Sequence, residues 1–592
     1  MTINNIPIVM PRSMGIVLAL FLVSLGKAQA PTLVKDINPN AASSQPLFFT
    51  ERYGTTFFVA DDGIHGCEPW LTDGTRIGTK ILRDTHQGPN GMGRDPLFTQ
   101  VGDRMFFIAE TKNAGFELFS SDGTVKGTKM VKDINPGTPS SRPGSLFAWN
   151  DKLLFSAFLQ NVGLGLWISD GTKAGTKLLK TIFRVPNNFG NIRYFTPFRG
   201  KVFFWAMYNS LASEIWVTDG TKAGTKLVQW FSWGSFMPLA RMGNRLYFAA
   251  GYSLSGRELW VTDGTPMGTK MVIDINPGPA SSDPNLLTPV GNKIFFTASD
   301  PKHGIELWVT DGTKAGTKLV KDIFPGHAGS RPRIKGHLGN KILFVPHDTP
   351  TFGRELWVSD GTSKGTKILK DINPGSASSL PENFVRTGSR YYYFTATTST
   401  NGRELWRTDG TPAGTKMIPE IQPGPASSKP SHLGFSGGML FMSAAHPTKG
   451  EELYRLFPGA NGRPVGYGCS SSGKSIPTLS IQDPVLGTKI LMSGNRAAPS
   501  ATGIPILGSP VQKNSIPLTW LGSSCRAYFD FSKFWTVQAP FQVKASGSWS
   551  QTQVVPNLPT LKGLQVAVQI LFVGGTGPKT QLSNAFVLGL GN

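Results

Sequence analysis

One repeated segment constrains this chain more than any other feature of its sequence. Its clearest copy, residues 306–323, reads ELWVTDGTKAGTKLVKDI. The aromatic position of the segment recurs at gaps of 44–49 residues, at Trp70, Phe119, Trp167, Trp216, Trp260, Trp308, Trp357, Trp406 and Tyr454. A near-constant period of this length is the signature of a repeat architecture, in which each copy forms one supersecondary unit.

The composition of one repeat predicts four short β-strands. Glu-Leu-Trp-Val-Thr alternates polar and apolar side chains, which suits a half-buried strand. Asp311 and Gly312 then form a tight-turn pair, so the lysine-led strand that follows runs antiparallel to the first. The segment DINPGPASS, at 274–282 in its clearest copy, is too rich in proline, glycine and serine for a strand or helix, and strands are predicted after it at 286–290 and 293–299. Four antiparallel strands make a propeller blade, and no segment has a sustained helical period, so the sequence predicts an all-β chain.

The repeat resembles the ELWxxDGT-repeat family of bacterial secreted proteins, sometimes labelled hyalin-like. The resemblance covers about residues 32–456 and implies a secreted protein without assigning an activity. Eight copies keep Asp-Gly-Thr in register, and their aspartates are Asp73, Asp122, Asp170, Asp219, Asp263, Asp311, Asp360 and Asp409. We interpret these aspartates as turn-formers rather than catalysts, because an active site needs one asymmetric constellation. The spacing of a calcium loop is also missing.

The two ends of the repeat region complement each other. The region begins at 32–37 with only the fourth strand of a unit, and it ends at 433–456 with only the first three. We therefore predict that Leu33 and Val34 hydrogen-bond to the strand at Leu453 and close the ring, which removes two open strand edges. This register gives nine blades. Eight blades with a frayed end is the alternative, since propellers usually have about 4–8 blades.

The N-terminal segment predicts export. Residues 1–30 form a signal peptide by pattern, because Arg12 precedes an apolar run at 14–25 and Ala28-Gln29-Ala30 fits a cleavage site. The sequence predicts no transmembrane segment in the mature chain. We therefore expect a secreted protein that is extracellular or associated with the cell surface.

The chain changes character after the propeller predicted for residues 31–456. Residues 457–464 have the composition of a linker. Residues 465–592 contain short apolar runs separated by turns, which predicts a C-terminal β-sandwich. The stretches 555–569 and 582–591 resemble a C-terminal module that recurs in secreted planctomycete proteins, which implies attachment or sorting.

The three cysteines predict one disulfide bond. Cys469 and Cys525 both lie in the C-terminal module, and export permits their oxidation, so we predict a bond between them. Cys67 in the first repeat is then left over and is expected to be a small buried apolar group.

The net charge of +22 favours acidic partners such as anionic polysaccharide or a cell-surface component. The alternative is that a basic secreted protein is simply soluble. A lysine follows Gly-Thr in eight copies, and equivalent positions of a propeller form a ring, here of Lys80, Lys129, Lys177, Lys226, Lys270, Lys318, Lys367 and Lys416. The glutamates before the aromatic position, including Glu258, Glu306 and Glu355, are expected to form a second ring that neutralises the first.

Two neighbouring units depart from the repeat. Residues 229–242 replace the DINPG segment of one unit, and the connection at 183–194 is altered in the unit before it. Aromatic residues and arginines on these segments could form a platform for a sugar or peptide, and the candidates are Arg184, Arg193, Tyr194, Trp230, Phe231, Trp233 and Phe236. The alternative, which we favour, is that they fill core space in a shortened blade.

No motif for catalysis, a metal or a cofactor stands out. Residues 468–475 match the phosphate-binding P-loop pattern, but that loop works only between a buried strand and a helix. Residues 463–467 make a poor strand and Pro477 argues against a helix, so nucleotide binding is not expected. The eight histidines are scattered, and neither HExxH nor CxxC occurs. No cofactor is therefore predicted.

Two functions remain open from the sequence. We favour a secreted, non-enzymatic binding or structural protein whose basic propeller surface meets anionic ligands such as polysaccharide, with a C-terminal attachment or sorting module. The alternative is an extracellular propeller hydrolase or lyase that acts on polysaccharide. An enzyme should gather two carboxylates, or a histidine and a carboxylate, from different blades into one pocket, whereas a binding protein should show a near-symmetric channel without them.

Overall fold

The structure, a computed structural model, describes residues 30–457 except for 40, 53–54, 89–90, 92–95, 185–189, 210–211, 235–236, 348, 350 and 389. Beyond residue 457 it describes strand segments without their side chains. The predicted signal peptide, apart from Ala30, lies outside the described residues. The described part of the chain contains no helix.

The repeats form a β-propeller of nine antiparallel blades, as predicted. The chain opens with β1 (Thr32–Lys35), and blades 1 to 4 follow in order. Blade 1 contains β2 (Leu47–Arg52), β3 (Thr55–Asp61), β4 (Cys67–Thr72) and β5 (Lys80–Ile81). Blade 2 contains β6 (Thr99–Val101), β7 (Arg104–Thr111), β8 (Gly115–Ser121) and β9 (Lys129–Lys132). Blade 3 contains β10 (Gly144–Trp149), β11 (Lys152–Leu159), β12 (Gly163–Ser169) and β13 (Lys177–Phe183). Blade 4 contains β14 (Asn191–Phe198), β15 (Lys201–Asn209), β16 (Ala212–Thr218) and β17 (Lys226–Phe231).

Blade 5 departs from the pattern because its first strand is split in two. It contains β18 (Trp233–Gly234), β19 (Ala240–Met242), β20 (Arg245–Tyr252), β21 (Gly256–Thr262) and β22 (Lys270–Ile273). Blade 6 contains β23 (Asn285–Val290), β24 (Lys293–Asp300), β25 (Gly304–Thr310) and β26 (Lys318–Lys321). Blade 7 contains β27 (Arg333–Leu338), β28 (Lys341–Val345), β29 (Leu356–Ser359) and β30 (Lys367–Lys370). Blade 8 contains β31 (Glu382–Thr387), β32 (Tyr391–Thr398), β33 (Gly402–Thr408) and β34 (Lys416–Met417).

The N-terminal strand closes the ring in blade 9. That blade contains β35 (Ser431–Ser436), β36 (Met439–His446) and β37 (Gly450–Leu456), and β1 pairs antiparallel with β37 as its fourth strand. Leu33 lies opposite Tyr454, and Lys35 lies opposite Leu453. The predicted closure and the count of nine blades are therefore confirmed, and the eight-blade alternative is wrong.

The first strand of each blade lies innermost. First strands of neighbouring blades contact one another, for example β2 with β35 and β31 with β35, so together they surround a central channel. The hydrophobic core is divided into clusters between blades. In the cluster that joins blades 9 and 1, Val34 and Ile37 pack with Phe58, Phe441 and Leu453.

Buried glutamates hold the connectors in place. The connectors are the proline- and glycine-rich segments, such as residues 274–282, that lead from one blade to the next. Seven of the glutamates precede the aromatic position of the repeat, are at most 2% exposed and accept hydrogen bonds from their connectors. They are Glu68, Glu117, Glu258, Glu306, Glu355, Glu404 and Glu452. Burial raises the pKa of Glu68, Glu355 and Glu452 to about 7, against the lowering effect of their hydrogen-bond donors. The expected surface ring of glutamates is thus wrong, whereas the eight repeat lysines are exposed.

The Asp-Gly-Thr segments form the turns between the third and fourth strands. Asp311 Oδ1 accepts hydrogen bonds from Thr313 N at 2.9 Å and from Thr313 Oγ1 at 2.7 Å, and the other seven copies repeat this pair. A Cβ at Gly316 would lie 2.0 Å from Asp311 Oδ1, so the turn needs glycine there. Each aspartate is thus engaged by its own turn.

The C-terminal region is all-β in its described strands. They are β38 (Gly462–Pro464), β39 (Cys469–Ser470), β40 (Ser480–Ile481), β41 (Lys489–Gly494), β42 (Thr502–Pro510), β43 (Ile516–Pro517), β44 (Arg526–Ala527), β45 (Phe529–Val537), β46 (Phe541–Gln542), β47 (Trp549–Val554), β48 (Gln565–Val573), β49 (Thr580–Leu582) and β50 (Phe586–Gly589). Strands β42 and β48 pair antiparallel within the largest sheet. The predicted disulfide lies outside the described residues, because the structure describes neither cysteine side chain.

Candidate active site

The centre of the channel is mainly apolar. A cavity of about 500 Å³ is lined there by Phe48, Leu97, Leu433 and other residues of blades 1, 2, 3 and 9. His432 is the one ionisable side chain among its described lining residues. The channel centre therefore offers no acid–base pair among its lining residues.

A second cavity, of about 1220 Å³, lies between blades 3 and 4, and we call it the blade 3–4 cavity. Phe147 and Phe195 line it with ring centroids 5.6 Å apart. The predicted site residues Arg193 and Tyr194 also line it, together with Arg142 of the preceding connector.

The loss of one buried glutamate distinguishes blade 3 from its neighbours. Gly165 stands where other copies have glutamate, so no carboxylate fastens the following connector. A Cβ at Gly165 would lie 2.7 Å from Lys180 O, so the fourth strand approaches β12 more closely than an ordinary side chain allows. This strand, β13, extends to Phe183 and spans seven residues, whereas β9 in blade 2 spans four.

A third site, which we call the blade 7–8 pocket, is small and strongly polar. It has a volume of about 30 Å³. Three arginines, a lysine, a histidine and a glutamate contribute to its lining, and these are Arg331, Arg333, Arg354, Lys335, His347 and Glu382. The histidine follows β28 of blade 7, and the glutamate begins β31 of blade 8. The structure therefore brings a histidine and a carboxylate from different blades into one pocket.

Hydrogen bonds fix the roles of the groups in this pocket. Arg354 Nη2 lies 2.6 Å from His347 Nε2. Because arginine only donates, Nε2 accepts and the ring proton of a neutral His347 lies on Nδ1. On the other side, Arg403 Nη2 lies 3.2 Å from Glu382 Oε2 and compensates its charge.

Lys335 is the most perturbed base of the pocket. Its ammonium lies 5.8 Å from the centre of the Phe384 ring. Burial, and then Arg333, lower its pKa, while Glu382 acts in the opposite direction. Lys335 is half-buried, and the lowered pKa makes its ammonium a better proton donor than that of an unperturbed lysine.

The predicted aromatic platform does not assemble as one surface. Trp230 lies on the outermost strand of blade 4, where it is 45% exposed and its ring contacts Tyr252. Phe231 is fully buried in the core between blades 4 and 5. Trp233 is half-buried in β18. Tyr194, by contrast, is on the inner strand of blade 4, so the structure separates it from Trp230.

The two remaining residues of the predicted platform are Arg184 and Phe236. Arg184 is exposed just after β13. Phe236 lies outside the described residues. Cys67 is half-buried in β4 and packs against the cluster that contains Val59 and Phe107.

The P-loop-like segment at 468–475 is described only at residues 469–470, which form β39. Within the described chain, no cluster of three or more His, Cys, Asp or Glu side chains could hold a metal ion. The search of the described residues for a helix that could cross a membrane found none.

One sequence feature indicates the blade 7–8 pocket, but it is visible only when the copies of the repeat are compared with one another. Arg331, Arg333 and Lys335 alternate along the start of an inner strand, and a period of two places side chains on one face. Corresponding stretches of other copies carry fewer basic residues, such as Lys429 alone in blade 9. His347 and Glu382 could not be assigned without the structure, because they are distant in sequence.

Comparison with known proteins gives structural matches only. No family model matches the chain, and no curated protein matches it. Among solved structures, a prolyl endopeptidase matches with a TM-score of 0.35 and 11% identity, over 62% of this chain and 55% of that one. A puromycin hydrolase matches with a TM-score of 0.31 and 11% identity, over 63% of this chain and 62% of that one. The β-propeller domain of the Trilobed protease from Pyrococcus furiosus matches with a TM-score of 0.29 and 16% identity, over 56% of this chain and 99% of that one.

These matches extend to the propeller fold alone, and the chain spans just over half the length of the prolyl endopeptidase. The names of the matching proteins include a prolyl endopeptidase and a puromycin hydrolase, which is at odds with our expectation of a non-enzymatic binding or structural protein. The blade 7–8 pocket also meets the criterion that we set for an enzyme. The non-enzymatic interpretation is therefore withdrawn.

Proposed function

We propose that this chain is an extracellular propeller enzyme that cleaves an anionic polysaccharide on the exposed residues around the blade 7–8 pocket, whose own volume of about 30 Å³ is too small for a sugar. The observation that carries the proposal is the meeting of His347 and Glu382 from different blades among several cations. Export is part of the proposal, and it is supported by the signal-peptide pattern and by the ELWxxDGT resemblance.

The composition of the pocket favours a lyase over a hydrolase. Glycoside hydrolysis usually requires two carboxyl groups, and Glu382 is the one carboxylate among the described residues that line the pocket. Elimination from a uronic acid instead needs cations on the sugar carboxylate and a base for the adjacent carbon-bound proton. Arg331, Arg333 and Arg354 supply the cations, since guanidinium groups bind carboxylates in a bidentate manner.

The reaction follows from these contacts. When substrate binds, Arg354 exchanges its hydrogen bond to His347 for one to the substrate carboxylate. Nε2 of the neutral imidazole is then available as the base. His347 takes the proton from the carbon next to the carboxylate, the electron pair forms a carbon–carbon double bond, and the glycosidic oxygen departs. Lys335 donates a proton to that oxygen. Glu382, held by Arg403, favours the protonated form of that lysine.

The test is incubation of the purified protein with polyuronates, a neutral polysaccharide and an unstructured peptide. We expect cleavage of at least one polyuronate, with ultraviolet absorbance from the unsaturated product. Reducing ends without that absorbance would indicate hydrolysis. Cleavage confined to the neutral polysaccharide or the peptide, or no cleavage at all, would contradict the proposed function.

Variants distinguish the proposed roles from an effect on folding. His347→Gln should lower kcat at least about 100-fold, because general base catalysis contributes that much or more. The matched control is His337→Gln, on the inner strand of the same blade, where Nδ1 lies 3.2 Å from Gly339 O. Equal losses of activity in both variants would argue against His347 as the base.

A further inference from the structure

We infer that the blade 3–4 cavity is a second binding site for an anionic oligosaccharide, which holds a distant part of the polymer cleaved at the blade 7–8 pocket. The inference rests on the proposed function. The two sites use different blades, so a ligand in one does not require the residues of the other.

The size of the cavity fits several sugar units. Ligand pockets usually have volumes of about 300–1000 Å³, and this cavity has a volume of about 1220 Å³. Phe147 and Phe158 give it an apolar wall, while Gln160 and Asn191 add amide groups. Such a mixture suits sugars, whose rings present both carbon-bound hydrogens and hydroxyl groups.

The charge of the cavity selects for anions. Arg142 and Arg193 line it from two sides, and no aspartate or glutamate is among the described residues of its lining. Both arginines are exposed, so neither has to be desolvated before it meets a ligand. Guanidinium groups on two sides of a sugar-sized space fit a chain that carries a carboxylate on successive units.

Two glycines of blade 3 accompany the open space, and one of them, Gly144, lines it. Gly144 begins the inner strand of blade 3, and the equivalent residue of blade 1 is Leu47. Gly165 removes the carboxylate that would fasten the connector between blades 3 and 4. The cavity thus lies at the one complete unit, from blade 1 to blade 8, in which glutamate is absent before the aromatic position.

Binding is measured by isothermal titration calorimetry with uronate hexasaccharide in the His347→Gln background, so that the probe is not cleaved. Arg193→Ala should weaken binding about tenfold, which corresponds to one charged contact of about 1.4 kcal/mol. Gly144→Leu should weaken it as well by filling the cavity with a side chain that blade 1 already accepts. Arg142→Ala should weaken binding in the same way as Arg193→Ala, since Arg142 also lines the cavity. Lys429→Ala is its matched control, because Lys429 and Arg142 occupy equivalent turns, with φ of 43° and 45°.

Activity on the polymer gives the second measurement. Arg193→Ala in the active protein should raise KM for long polyuronate and leave kcat unchanged. Unchanged hexasaccharide affinity in Arg193→Ala and Gly144→Leu would overturn the inference, even if the polymer is cleaved. Cavity-dependent binding in a protein that cleaves no polyuronate would instead overturn the proposed function and leave the binding site in place.

Discussion

Replacing Glu355 with glutamine should change how the stability of the propeller depends on pH. The carboxyl is fully buried and accepts hydrogen bonds from Ile372 N at 2.9 Å, Ser379 N at 2.8 Å and Ser379 Oγ at 2.6 Å. Burial raises its pKa from 4.5 to about 7, despite those donors. The native state therefore binds the proton more tightly than the unfolded chain does.

The direction of the pH effect follows from this difference. A group with a raised native pKa contributes stability that is complete below its unfolded pKa and is lost as the pH rises through the native value. For Glu355 the window runs from about pH 4.5 to about pH 7. The size of the loss is about 3 kcal/mol, from 1.36 kcal/mol for each pKa unit.

Glutamine is uncharged at every pH, like the protonated acid, but its amide nitrogen cannot accept the hydrogen bond of a backbone N–H, which adds a cost that does not depend on pH. Relative to the wild type, Glu355→Gln should therefore gain about 3 kcal/mol of stability between pH 4.5 and pH 7. The measurement is urea unfolding followed by tryptophan fluorescence at several pH values. Glu110→Gln, on β7 outside the connectors, is the control and should leave the profile parallel to the wild type.

Parallel profiles for Glu355→Gln and the wild type would refute the argument. That result would show that the three donors stabilise the carboxylate as much as burial destabilises it. Glu355→Ala separates the two effects, because it leaves two backbone N–H groups without acceptors at any pH. It should cost about 2–6 kcal/mol even at pH 4.5.

Two other substitutions test the architecture. Val34→Asp places a charge in the cluster that joins blades 9 and 1, so the protein should aggregate on size-exclusion chromatography. The control is Thr32→Asp at an exposed position of the same strand, and this variant should remain monodisperse. Asp311→Ala removes the acceptor of Thr313 and should lower the free energy of unfolding by about 1 kcal/mol in urea titration, with a similar loss for Asp170→Ala in another blade. A large difference between these two losses would mean that one aspartate has a role beyond its turn.

The sequence predicts the propeller because the same strand pattern is repeated and its two ends are complementary. It does not predict that Glu306 is buried, since alternation places Glu306 and Trp308 on one face without showing what covers that face. The connector supplies the cover: Ser330 N and Oγ bond the carboxylate at 2.7 and 2.6 Å from 24 positions away. Such contacts depend on how a proline-rich segment folds back, and periodicity contains no information about that path.

The candidate site was still harder to predict, for a physical reason that concerns repeats in general. Side chains at equivalent positions are related by the ring's approximate symmetry, so they cannot by themselves form one asymmetric constellation. An asymmetric site must therefore come from residues that differ between the copies of the repeat. Two such differences occur here, and they are of opposite kinds. Gly165 subtracts a carboxylate and accompanies the cavity between blades 3 and 4. Arg333 and Lys335 add cations to an inner strand, where His347 and Glu382 then meet across a blade boundary. A search for function in such chains should therefore compare each copy with the repeat consensus and locate the differing residues in the structure. The consensus residues themselves mainly build the fold.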